Sequence, residues 1–134
     1  MSTIKSYTDL EQSKKLAEIL PLESADMFYP TNSDWEGKII GLLDVPLYIG
    51  SDGFVDTEMG EIHAWSLAAL LNILHSKAKD IPSLSGGGYK DGKYISDWCL
   101  DYEFENGDYQ KTFADNPVDA CVVMIEKLQN VKML

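Results

Sequence analysis

Ala64-Trp65-Ser66-Leu67-Ala68-Ala69-Leu70-Leu71-Asn72-Ile73-Leu74 is apolar on nearly every side. Leu67, Leu70, Leu71 and Leu74 recur at the i, i+3, i+4, i+7 spacing of a helix, with Ala68 and Ala69 between them. Trp65 and Ile73 widen the stripe, and only Ser66 and Asn72 interrupt it. A helix coated in this way must be covered on more than one side, so the other elements should pack around it. It is too short to span a bilayer, which takes about 20 residues. The pattern predicts a helix from about Ala64 to Lys79. Lys77 and Lys79 complement the negative end of its dipole, and Pro82 lies just beyond.

Downstream, Gly86-Gly87-Gly88 precedes Lys90-Asp91-Gly92-Lys93, where Asp-Gly reads as a hairpin turn. Ser96–Glu105 then alternates strictly. Trp98, Leu100, Tyr102 and Phe104 fall on one face; Asp97, Cys99, Asp101, Glu103 and Glu105 fall on the other. Asn106-Gly107 supplies the next turn, and Tyr109–Phe113 can return as the partner strand. A last helix is capped by Asp115 or Asn116, with Pro117 in its first turn and Asp119 at its positive end. Its buried stripe is Val118, Cys121, Val122, Ile125 and Leu128.

Upstream, a short amphipathic helix from about Asp9 to Leu20 is read with Thr8 as N-cap and Glu11 completing a capping box. Pro21 ends it. Residues 21–38 read as an irregular crossing anchored by Met27, Phe28, Tyr29 and Trp35. Lys38–Leu43 is a short apolar run of strand type, broken by Asp44 and Pro46 before Leu47-Tyr48-Ile49. Gly50–Gly53 reads as a turn, and Phe54–Ile62 as an acidic loop or edge strand.

The chain has 134 residues and a net charge of −11. Its length suits one domain with a single core, and an apolar fraction of 45% argues against wholesale disorder. The charge is uneven: residues 31–62 carry seven acids against Lys38 alone. Every basic residue is Lys, so the planar fork that grips phosphate is missing. With the acidic balance, this argues against nucleic acid and against an anionic membrane surface. Cys99 and Cys121 form no disulfide framework, and the N-terminus lacks the apolar core of a signal peptide. A cytoplasmic setting with free thiols follows as the expectation.

Motifs for chemistry are scarce. His63 and His75 match no metal-ligand spacing and read as ordinary surface or helix-end histidines. Asp52, Asp56, Glu58 and Glu61 are out of register with a calcium loop and read as a solvated acidic loop. Gly86-Gly87-Gly88-Tyr89-Lys90 lacks the spacing and the following helix of a phosphate cradle. Ser66 and Ser85 sit in no nucleophile elbow. On the acidic face of its strand, Cys99 should have a raised pKa. No catalytic residue, metal site or cofactor is assigned. Asp101, Glu103 and Glu105 stand out instead, because like charges on one strand face repel and stability does not call for them. They read either as protection of an edge strand or as a protein-interaction surface for a basic partner.

Trp65–Leu70 and Asp115–Ile125, together with Glu11–Leu16 and Leu20–Met27, resemble conserved blocks in a group of small proteins of gut bacteria and their prophages. That group has no established activity, so the resemblance carries over no catalytic residue. Its members often have a Pro-Cys pair where this chain has His63-Ala64. It implies a cytosolic protein of phage or mobile-element type.

The sequence thus predicts one α+β domain over residues 1–134, with three helices packed on one face of a small antiparallel sheet drawn mostly from the second half. The expected function is a non-enzymatic acidic interaction module for a basic protein. The alternative is a small enzyme or ligand binder using a cleft lined by Trp35, Trp65, Tyr48 and nearby acids.

Overall fold

A computed structural model of the chain describes residues 5–50 and 55–132, with Thr57 described in its backbone alone. The Gly50–Gly53 turn and the Asp52 carboxylate named above therefore fall largely outside the described residues. The fold is α+β, with three α-helices and antiparallel sheets among the described residues. The described strands are divided among four small sheets, and half of those sheets come from the first half of the chain. Two compact units are present, Tyr7–Ala69 and Leu70–Leu134 with Met1–Ser6.

In the unit Tyr7–Ala69, helix α1 runs from Leu10 to Ile19. Asp9 caps it, one residue later than the sequence suggests. Its carboxylate accepts from Gln12 N–H at 2.8 Å, and Gln12 Oε1 accepts from Asp9 N–H at 3.1 Å. Thr8 is drawn into the core instead. Its hydroxyl lies 2.7 Å from that of Ser13 and accepts from Trp65 N–H at 3.1 Å. Strand β1 (Met27–Tyr29) is the centre of a three-stranded sheet, flanked by β4 (Leu47–Tyr48) and β5 (Ile62–Ala64). Met27, Tyr29 and Ala64 pack together with Tyr7 and Leu10. Between β1 and β4 the chain runs out along β2 (Thr31–Ser33) and returns along β3 (Ile39–Leu42), which among the described residues pair only with each other. The stretch 21–38 is thus more regular than its composition suggests, because pairing with distant segments overrides weak local signals.

Helix α2 spans Leu67–Lys77, shorter at both ends than predicted. Ala64 belongs to β5 and Trp65 is wholly buried, so the helix begins only after Ser66. The Ser66 hydroxyl accepts from Ala69 N–H at 3.2 Å, which caps the first turn.

In the other unit, β9 (Trp98–Glu103) is paired by β10 (Tyr109–Ala114) on one side and β6 (Ser83–Ser85) on the other. Leu100, Tyr102 and Phe104 are buried as the alternation requires, and Trp98 is half-buried. Helix α3 (Pro117–Asn130) packs on β9 and β10. Asn116 caps it, accepting from Asp119 N–H at 2.9 Å, and Val118, Cys121, Val122, Ile125 and Leu128 are all buried. A separate ribbon, β7 (Gly88–Lys90) and β8 (Lys93–Ile95), turns at Asp91-Gly92. Both turn residues adopt positive φ, 52° and 79°, as a type I′ turn needs. Among the described residues no helix is long and apolar enough to cross a membrane.

Candidate functional site

The three carboxylates singled out by the sequence do not form a continuous free stripe. Asp101 stands opposite Lys111 on β10, with Nζ and Oδ1 3.6 Å apart. Glu103 lies 4.0 Å from Lys79 Nζ. Glu105 is beyond the end of β9, exposed in the turn to β10. Farther along the same face Cys99 is buried, and a side chain on Gly88 of β7 would meet its sulfur at 3.1 Å. An element of the same unit thus covers that end. Burial raises the Cys99 pKa, with Asp101 adding to it, so the direction expected from the acidic face holds but burial is the main cause.

His63 sits in β5 opposite Phe28, and partial burial lowers its pKa. His75 is exposed in the last turn of α2. Asp56 accepts from Glu58 N–H at 3.0 Å and Met59 N–H at 3.2 Å, while Glu61 accepts from Asp56 N–H at 2.7 Å. These two carboxylates therefore organise the local 3-10 turn Thr57–Met59. Cys121 is buried, and burial pushes its pKa up to about 12. Ser66 is held by Asp26 and serves as a helix cap.

Trp65, Trp35 and Tyr48 do not line a common cleft. Trp65 is 0% exposed, and its indole N–H donates to Ser24 Oγ at 3.0 Å. Trp35 is 92% exposed and Tyr48 68%. Two shallow depressions occur elsewhere. One, of about 370 Å³, is lined by Tyr7, Asp9, Leu10, Glu11, Tyr29 and Asp44. The other, of about 260 Å³, lies among Phe104, Gln110, Lys127, Asn130 and Val131. Neither gathers a nucleophile beside a base.

What stands out instead is the antiparallel arm formed by β1–β2 and β3–β4. Its base pairs Met27 with Tyr48 and Phe28 with Leu47; its outer half pairs Thr31 with Leu42 and Asn32 with Gly41. The tip is tightly built. Asp34 Oδ1 accepts from the N–H groups of Glu36 and Lys38, both at 2.9 Å, and Gly37 N–H donates to Asp34 O at 3.0 Å. Gly37 takes φ 86°, which a side chain would strain. Trp35 projects from this fixed turn and is almost wholly in water. Along the returning strand Ile39, Ile40, Val45, Leu47 and Tyr48 are all exposed.

A large aromatic on a rigid turn, followed by an apolar edge, is costly to leave in water and is the composition of an interface centre. Asp34 and Glu36 flank Trp35 in the sequence and Asp44 follows β3, with Lys38 the only cation of the arm. The sequence contained this signal in Trp35 and Lys38–Leu43. Trp35 reads from sequence as an anchor of the crossing or a cleft residue and Lys38–Leu43 as a strand-type run, because exposure cannot be inferred from an apolar run alone.

No protein-family model, curated protein or solved structure matches this chain.

Proposed function

We propose that this protein is a non-enzymatic interaction module that binds a basic protein partner through the β1–β4 arm. The observation that carries the reading is Trp35, 92% exposed on a turn that Asp34 fixes by two hydrogen bonds. The fold makes no use of that indole, whereas a partner pocket would desolvate it. The surrounding charge selects the partner's sign. The arm carries Asp34, Glu36 and Asp44 against Lys38, within a chain of net charge −11, so a surface rich in Lys or Arg would be steered to it, most strongly at low salt. The resemblance of the Trp65–Leu70 and Asp115–Ile125 blocks to small proteins of gut bacteria and their prophages supports a cytoplasmic setting of phage or mobile-element type.

The test is capture of basic proteins from a bacterial lysate at low and high salt, with native protein and with Trp35→Ala in parallel. The reading expects capture that declines with salt and falls at least tenfold in the variant, with an unchanged melting temperature. Equal capture by the two proteins would remove it.

A further inference from the structure

Among the described residues strand β3 has a partner on one side only, and the hydrogen-bond register shows which of its backbone groups are left over. Leu43 N–H donates to Pro30 O at 2.8 Å, so residues 30 and 43 form a hydrogen-bonded position of the ladder. In antiparallel pairs such positions alternate with ones whose N–H and C=O point away from the partner. Leu42, opposite Thr31, therefore turns its N–H and C=O to the open edge. The same reasoning applies at the other end. Asp34 N–H donates to Lys38 O at 2.8 Å, which leaves Ile39, opposite Ser33, facing outward. At the arm's base, Ile49 N–H donates to Asp26 O at 2.9 Å, so Tyr48 also faces outward. Three outward backbone positions thus run along one edge with exposed apolar side chains, Ile40 at 62% and Tyr48 at 68%.

Proteins usually protect such an edge with an inward charge, a proline or a covering element. Here Lys38 stands at the start of β3 and Pro46 precedes β4, but Ile39–Leu42 has no charged side chain. We infer that the β3 edge accepts an extended, lysine-rich segment of another protein as an added antiparallel or parallel strand. This inference rests on the interaction-module reading and specifies how the partner is held. Backbone pairing would supply affinity, and alternate side chains of the segment would meet Ile40 on one face and Ile39 on the other. Charge identifies the occupant. Asp34 and Glu36 at one end of β3 and Asp44 at the other would meet cations on a basic segment. A second copy of this chain would instead bring the same acids together, and its net charge of −11 opposes self-pairing.

The test uses a fluorescein-labelled octapeptide of alternating Lys and Val, titrated with the full chain and read by anisotropy. A version of the peptide methylated on every backbone nitrogen serves as comparison. Strand addition expects saturable binding of the first peptide and at least tenfold weaker binding of the second. Leu42→Pro removes an outward N–H while leaving the Pro30–Leu43 bond in place, and it should weaken binding by a similar factor. The methylated peptide gives the answer on native protein even if that variant unfolds. No saturable binding, or equal binding of the two peptides, would overturn strand addition. A salt-insensitive dimer of the native chain in sedimentation, lost in Leu42→Pro, would assign the edge to a second copy and also overturn it. Neither result bears on the Trp35-dependent capture of basic proteins, which stands or falls by its own experiment.

Discussion

Asp26 holds Ser66 with both carboxylate oxygens: Oδ1 accepts from the Ser66 N–H at 2.9 Å and Oδ2 from its hydroxyl at 2.5 Å. The hydroxyl in turn caps Ala69 N–H, so a residue 40 positions upstream fixes where α2 begins. Asp26→Ala leaves a nearly buried serine and its backbone N–H without their acceptor. It should cost about 1–3 kcal/mol, the range for a buried polar group left unsatisfied. Urea unfolding would measure this. Hydrogen exchange should rise first at the start of α2, and a change below about 0.5 kcal/mol would show that the pair contributes little.

Two buried tyrosines differ in one respect. Tyr29 donates its hydroxyl proton to Thr8 O at 2.7 Å, whereas the Tyr102 hydroxyl has no partner among the described residues. Tyr29→Phe should therefore lower stability by about 1 kcal/mol, and Tyr102→Phe should be neutral or stabilising. Equal melting temperatures for the two variants would contradict the assignment.

Alkaline pH should weaken the fold, and the sign follows from burial. The pKa of Tyr29 and that of Tyr102 are pushed from 10.0 to about 12, and that of Cys121 from 9.0 to about 12. Each folded-state pKa is raised, so the folded chain binds these protons more tightly than the unfolded chain does. Their contribution is fully present below the unfolded values and is lost as pH rises through the folded ones. Stability should fall from pH 9 to about 12, and Tyr102→Phe should shallow that fall. A flat denaturation midpoint across the window would sink the prediction.

Cavity formation offers a direct check on the core. Leu70 and Ile125 are both 0% exposed, so Leu70→Ala and Ile125→Ala should each cost about 2–5 kcal/mol. Cys121 lies in the same buried stripe as Ile125, and its thiol should react with a maleimide only after unfolding. Rapid native labelling of Cys121 would show that α3 presents a different face.

The carboxylates of β9 separate the two candidate surfaces. Asp101 pairs with Lys111 and Glu103 approaches Lys79, both partly in water, so the pairs are worth about 0–1 kcal/mol each. Replacing Asp101, Glu103 and Glu105 by Asn and Gln should leave the melting temperature nearly unchanged. Capture of a basic partner should then decline less than it does with Trp35→Ala. The reverse order would move the interface from the arm to the β9–β10 hairpin.

Local sequence determined the elements whose signals lie within a few residues of one another. The 3.6-residue stripe Val118/Cys121/Val122/Ile125/Leu128, a cap at Asp115 or Asn116 and the alternation through Leu100, Tyr102 and Phe104 needed no distant partner to be read; the structure gives the cap to Asn116. The Asp91-Gly92 turn is equally local, because its positive φ values are a property of those two residues. Tertiary structure decided the rest. Thr8 reads as a helix cap, yet its hydroxyl serves Ser13 and Trp65, and Asp9 takes the cap. Trp65 and Trp35 are the same residue type in polar-apolar surroundings, yet one is fully buried and the other stands in water. Likewise, the Asp101 charge looks free until Lys111 is placed opposite it by strand register. Burial and pairing are relations between segments far apart in the chain. Periodicity within a segment can say that a face is apolar, but only the packed chain determines whether anything covers it.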